Sequence, residues 1–127
     1  VVQAGSELTL VSWGEMLHRV MEAAEPFGSA VEIIDLRTMI PWDKAMVLAS
    51  VRKTGKCLIA HEDALTGGFG AEISASIAQE AFTSLDAPLR RVAIPDVPIP
   101  YNIALMNSDV LPGIERLRTE IESLLTW

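Results

Sequence analysis

Three ionisable residues in succession, His61, Glu62 and Asp63, are followed by the turn Gly67-Gly68-Phe69-Gly70. These are the residues whose types and spacing could do chemistry. A histidine beside carboxylates can act as a general base. A glycine turn that opens a helix exposes backbone N–H groups able to hold a carboxylate or phosphate. Each has a plainer reading. Adjacent strand residues point to opposite faces, so His61 and Glu62 can meet only if the strand has already ended. A buried or interface histidine with satisfied hydrogen bonds is therefore favoured over a catalytic one. The glycine spacing fits neither the dinucleotide fingerprint nor a phosphate loop ending in Gly-Lys-Ser/Thr, and tight turning with close helix packing accounts for it.

Other chemistries find less support. Two distant histidines and the single Cys57 make no zinc spacing, and the carboxylates do not form a calcium loop. No Gly-x-Ser-x-Gly elbow is present. Cys57 lies in an apolar run and reads as a buried strand thiol, which fits a reducing compartment. His18 reads as a surface or helix-border residue. Trp42, next to Pro41, and Tyr101, in a proline-rich loop, are candidate contact points or local packing.

The elements that would position these groups follow from periodicity. Strands are expected at Leu8–Val11, Val31–Leu36, Cys57–Ala60 and Leu89–Ile94, with a further short segment at Val1-Val2. Ser12 and Glu15 have capping-box spacing before a helix with Met16, Leu17, Val20, Met21 and Ala24 on one face. A second helix, capped by Asp43, would bury Ala45, Met46, Val47, Ala49, Ser50 and Val51. A third runs from Ala71 to Phe82 with a small-residue face that allows close approach. The last, from Pro112 to about Leu125, would be capped by Ser108 or Asp109. The prolines at 95, 98 and 100 rule out sheet between them. Strands returned by helices imply right-handed crossovers and a largely parallel three-layer sheet. His61, Glu62 and Asp63 then sit at the carboxyl end of a strand, the edge where such sheets bind ligands. If Val1-Val2 pairs with Leu8–Val11, the short turn makes it antiparallel.

The chain has 127 residues, half of them hydrophobic, which suits one compact domain. Its net charge of −7, from 17 carboxylates against 10 Lys plus Arg, disfavours nucleic acid and anionic membrane as partners. No apolar run approaches the roughly 18 residues of a membrane span. The opening in Val1-Val2, without Met, reads as a piece of a longer polypeptide.

Four phrases in order, LTLVSWGEMLH, VEIIDLRTMIPWD, SVRKTGKCLIAHEDALTGGFGAEI and PDVPIP, give the chain a family resemblance. It resembles the C-terminal domain of the thiamin-diphosphate-dependent 2-oxo acid dehydrogenase E1 β subunits, the transketolase C-terminal-domain family. The IPWD and HEDALTGGFGAEI stretches look most like the branched-chain type, with pyruvate and acetoin enzymes as the alternative. The resemblance implies a three-layer α/β/α fold with a mostly parallel five-stranded mixed sheet whose first strand is antiparallel. It implies a non-catalytic assembly and docking domain, since the family's catalytic β residues lie upstream. Thiamin diphosphate and Mg²⁺ belong to the parent enzyme, so no catalytic, cofactor or metal residue is assigned in this chain. The implied partners are the E1 α subunit, the N-terminal domain of E1 β, a second E1 β and the lipoyl acyltransferase E2. The implied location is the cytoplasm of a bacterium or the mitochondrial matrix of a eukaryote. His61, Glu62, Gly67, Gly68, Phe69 and Tyr101 are the candidate interface or anion contacts. Two readings independent of the resemblance stand beside it: a stand-alone α/β protein binding a phosphorylated metabolite at the glycine turn, and an acidic module that only dimerises.

Overall fold

The apolar runs become strands because helices cover both of their faces. The computed structural model describes residues 1–127 apart from the side chain of Asp109. Four strands, β1 (Leu8–Ser12), β2 (Val31–Asp35), β3 (Cys57–Ala64) and β4 (Arg90–Ile94), alternate with α1 (Met16–Ala24), α2 (Lys44–Thr54) and α3 (Phe69–Glu80). A short α4 (Ile103–Leu105) runs into a π turn over Met106–Val110 before the closing helix α5 (Ile114–Leu125). The sheet order is β2-β1-β3-β4, and all three pairings are parallel. Alternation along the strands feeds two cores. Leu8, Leu10, Ile33, Leu58 and Val92 meet Met16 and Val20 of α1 and Leu117 and Ile121 of α5. Val11, Ile34, Cys57 and Ile59 meet Val47 and Val51 of α2 and Ile73 and Ile77 of α3. Coverage on both sides is why the strand sequences read as nearly continuous apolar runs. No helix is long and apolar enough to cross a membrane among the described residues.

The expected five-stranded mixed sheet with an antiparallel first strand is corrected: among the described residues the sheet has four strands, all parallel. The segment before β1 makes one antiparallel bridge, Gln3 to Ile33, and it lies against β2 instead of β1. Val2 N–H donates to the Ile33 carbonyl, and Ile33 N–H to the Gln3 carbonyl, each at 2.9 Å. The pairing then stops for a local reason. The Gln3 amide turns to the carbonyls of Gly28 and Val31, and the chain crosses β2 at Gly5, where any Cβ would collide with the backbone of Val31 and Glu32.

Several local expectations also shift. Ser12 is not an N-cap: it is the last residue of β1, and its hydroxyl donates to the Ala60 carbonyl at 2.9 Å, tying β1 to β3. Asp43 does cap α2, accepting from Met46 N–H at 3.0 Å. That helix buries Val47, Leu48 and Val51 with Ser50 and Thr54, and leaves Ala45, Met46 and Ala49 outside. α3 starts and ends two residues earlier than its periodicity suggested, so Phe82 leaves the apolar face and stands exposed. Gly113 occupies the N-cap of α5, with Ser108 back in the π turn. The capping role considered for the Asp109 side chain lies outside the described residues.

Candidate functional site at the sheet's switch point

From β1 the chain crosses to β2 on one side, and from β2 it returns past β1 to β3 on the other. The carboxyl ends of β1 and β3 therefore flank the point where the winding reverses, the preferred ligand edge of open α/β sheets. Two aromatic groups converge there. Trp13, directly after β1, stacks on His61 of β3 with ring centroids 5.2 Å apart and planes 8° from parallel. Phe69, the first residue of α3, meets the indole edge-on with ring centroids 6.1 Å apart. Gly70 lets α3 approach so closely that a Cβ there would strike His61 Nε2. The small face of α3 thus serves close packing, as its composition suggested.

His61 is fully buried. Its Nδ1 accepts the Asp63 backbone N–H at 3.2 Å, so the neutral ring carries its proton on Nε2. That Nε2 has no hydrogen-bond partner among the described residues. Burial pulls the imidazole below its ordinary 6.5; the Asp63 carboxylate opposes this and the Arg91 charge adds to it. The ring is thus neutral at neutral pH and closed off by aromatic walls.

β3 does not end at Ala60. It continues to Ala64 through an irregularity in its pairing with β4. His61 therefore points inward and Glu62 outward into solvent, and the histidine–carboxylate base pair is not formed. Asp63 has a different task. Its carboxylate accepts from Ala64 N–H at 2.8 Å and from Phe69 N–H at 3.3 Å. The first turn of α3 thus already holds an anion, supplied by the chain itself. Gly67 supplies the φ of +77° that the turn requires, and Gly68 is pressed against the Ala64 carbonyl. Of the six candidate contacts, His61 and Phe69 meet at Trp13, and Gly68 lies against the His61 ring. Glu62 and Gly67 form the exposed rim. Tyr101 stands apart on the loop after β4, fully exposed.

The loops after β3 and β4 are clipped together. Thr66 donates its N–H and its hydroxyl to Asp96, at 3.1 and 2.6 Å, and these bonds hold the Asp96 carboxyl below the usual carboxylate range. Leu65 N–H donates to the Ile94 carbonyl at 2.8 Å. Beyond the clip, large apolar side chains face solvent: Ile40 after β2, and Val97, Ile99, Tyr101 and Ile103 after β4. Cys57 lies in the core with its thiol pushed up to about 12 by burial, and so is inert. Trp42 packs partly on the α2–α3 core, and His18 is exposed.

Sequence reasoning found His61, Phe69 and the glycines but passed over Trp13 and the capping role of Asp63. Trp13 was findable, since it is the first residue beyond β1 at the strand end that faces the switch point. Asp63 needed the extra length of β3, which no pattern in the sequence marks. One donor of the first turn of α3, the Phe69 N–H, is thus already engaged by Asp63, and the buried His61 ring lies behind the turn.

Comparison with known proteins accords with the geometry. The family model for the transketolase C-terminal domain matches residues 1–117. The chain is 52% identical over 103 residues to the mitochondrial 2-oxoisovalerate dehydrogenase subunit beta 2 of Arabidopsis thaliana, covering 79% of this chain and 29% of that protein. It is 43% identical over 101 residues to the 2-oxoisovalerate dehydrogenase subunit beta of Pseudomonas aeruginosa, covering 80% of this chain and 29% of that one. With the pyruvate dehydrogenase E1 component subunit beta of Leifsonia xyli the identity is 36%, over 100% of this chain and 38% of the other. The chain thus spans well under half the length of these relatives. A solved structure described as a split gene transketolase, inactive beta4 tetramer, superposes with a TM-score of 0.83 at 23% identity, over 99% of this chain and 41% of that one. At that identity the likeness concerns the fold. The chain belongs to the transketolase C-terminal domain family.

Proposed function

We propose that this domain is the non-catalytic assembly and docking domain of a branched-chain 2-oxo acid dehydrogenase E1 β subunit. The higher identity to 2-oxoisovalerate than to pyruvate dehydrogenase subunits supports that choice of parent. The parent oxidatively decarboxylates a branched-chain 2-oxo acid on thiamin diphosphate with Mg²⁺ and acylates lipoamide. The electron-sink chemistry belongs to the cofactor, which is held outside this domain. One observation carries the docking role: Ile40, Val97, Ile99 and Tyr101 on loops that follow β2 and β4, and Ile103 at the start of α4, are exposed to solvent. Large apolar side chains left in solvent in this number are what a protein contact would cover. The domain's partners are the E1 α subunit, the upstream domain of the same β subunit and a second β subunit, with the lipoyl acyltransferase E2 docking on the assembly. Location follows the parent: the mitochondrial matrix in eukaryotes, in keeping with the mitochondrial name of the Arabidopsis relative, and the cytoplasm in bacteria.

Sedimentation of the full β subunit with its α subunit tests the reading. Ile99→Asp with Tyr101→Asp is expected to shift the mixture from heterotetramer to smaller species while the domain keeps its helical circular dichroism. A heterotetramer of unchanged stability would remove this surface from the assembly. Calorimetry of the 127-residue domain with thiamin diphosphate and Mg²⁺ is expected to give no saturable heat, and stoichiometric binding would overturn the non-catalytic assignment.

A further inference from the structure

A cleft of about 490 Å³ opens at the carboxyl edge of the sheet, where Trp13 follows β1 and Asp35 ends β2. Small-molecule sites commonly enclose roughly 300–1,000 Å³ and favour this edge of an α/β sheet. None of the exposed side chains assigned above to protein contacts lines it. Its apolar wall is made by Trp13, Leu17, Leu36 and Met39. Leu36 is buried and the other three are partly so, and the indole is fixed by its stack on His61.

Two charged side chains, Asp35 and Arg37, line the same cleft. Arg37 Nε donates to Asp35 Oδ2 at 3.1 Å, and neither side chain makes another bond among the described residues. A carboxylate offers about four acceptor positions and a guanidinium five donors. The Glu32 side chain, 6% exposed, takes Ser50, Lys53 and the Gly5 N–H, whereas that of Asp35, 14% exposed, takes one donor. Asp35 Oδ1 and both Nη groups of Arg37 therefore keep their bonding capacity.

An acceptor oxygen and a guanidinium fork thus stand side by side against an apolar wall. Their complement has a cationic nitrogen, a carboxylate next to it and an apolar body. A simple amine would leave the fork unused, and a simple carboxylate would meet Asp35 without a donor of its own. In an α-amino acid both charged groups and the side chain leave one carbon, which matches all three.

We propose that this cleft binds a free α-amino acid with an apolar side chain. Its ammonium meets Asp35 Oδ1, its carboxylate takes the two Nη groups of Arg37, and its side chain lies against Leu17, Leu36, Met39 and the Trp13 indole. The Nε bond to Asp35 orients the guanidinium and leaves its fork free for a two-point contact. The inference stands apart from the assembly reading, because it uses other residues.

The test is calorimetry of the 127-residue protein with L-leucine, glycine, L-leucinamide and 4-methylpentanoate. Leucine is expected to bind saturably with Kd on the order of 1 mM. Leucinamide and 4-methylpentanoate each lose one charge-assisted contact, and glycine loses the apolar wall, so each should bind about tenfold more weakly. Arg37→Gln should weaken leucine about tenfold, and at 83% side-chain exposure its loss leaves the fold intact. The Trp13 indole N–H resonance should shift on binding while that of Trp127 stays in place. No saturable heat with leucine, an analogue that binds as tightly as leucine, or unchanged affinity in Arg37→Gln would overturn the proposal. So would a shift at Trp127 with Trp13 unmoved. Ile99→Asp with Tyr101→Asp is expected to leave leucine affinity unchanged.

Discussion

Polar groups are buried at both ends of the strands, and the two ends treat them differently. At the amino end, under α2, Thr9 meets the hydroxyls of Ser50 and Thr54 at 2.6 and 2.7 Å. Ser50 donates to Glu32 at 2.5 Å, and Glu32, 4% exposed, also takes Lys53 and the Gly5 N–H. Burial alone would raise the Glu32 carboxyl, but the bonds from Lys53, Ser50 and Gly5 outweigh it and hold the group below 4.5. At the carboxyl end, His61 is equally buried and has one ring nitrogen satisfied and one without a partner among the described residues. A satisfied network stabilises and locks register, whereas an orphaned donor weakens the fold and persists where another demand holds it. The amino end is thus the clamp, and the carboxyl end keeps an unmet donor in its core.

The largest effect should come from the clamp. Glu32→Ala is expected to destabilise by roughly 2–4 kcal/mol in urea unfolding, because it removes the acceptor shared by Ser50, Gly5 and Lys53 at a buried site. A loss under about 1 kcal/mol would make the two ends alike. Next, Gly70→Ala should cost about 1–3 kcal/mol by driving a methyl into the His61 ring. Combining it with His61→Ala should recover part of that loss, and strict additivity would deny the contact.

A matched pair of polar-to-apolar changes sharpens the contrast further. Thr9→Val is expected to cost about 1–2 kcal/mol, and His61→Phe to stay within about 1 kcal/mol of the parent, since it removes an unmet donor along with one weak acceptor. Equal losses in thermal and urea melts would erase the distinction.

Smallest is the pH response, which has a separate window at each end. The folded protein holds His61 below 6.5, so the unfolded chain takes up that proton first and stability declines as pH falls from about 6.5 toward the folded value. Glu32 is also depressed, so its contribution is full above 4.5 and is lost as pH falls through its lower folded value. His61→Phe should flatten only the upper window and Glu32→Ala only the lower one. Loss of both windows in a single variant would mean that the two groups are coupled.

Most of this architecture was legible before any coordinates. The strands and helices stood out because β-branched runs and helical stripes differ in period, and Asp43 opens α2 by local chemistry. The number of strands was not legible, because whether Val1–Gly5 forms a strand or a single bridge depends on how the Gln3 amide and Gly5 meet β2, a contact across 28 positions. Nor was the length of β3: His61-Glu62-Asp63 carries charge, as a loop would, yet continues as strand with one residue buried behind Trp13. The anion-ready glycine turn was read correctly as a turn, but the anion proved to be Asp63.

The clip between Thr66 and Asp96 makes the carboxyl edge a single mechanical part. A load applied to the loop after β4 reaches the turn before α3 through two hydrogen bonds, and from there the ring wedged against Gly70. Loops at this edge are therefore not interchangeable modules. Grafting residues 95–102 from a relative that lacks Asp96 would unfasten the 64–68 turn as well, so a chimaera must carry both halves of the clip to keep either loop in shape.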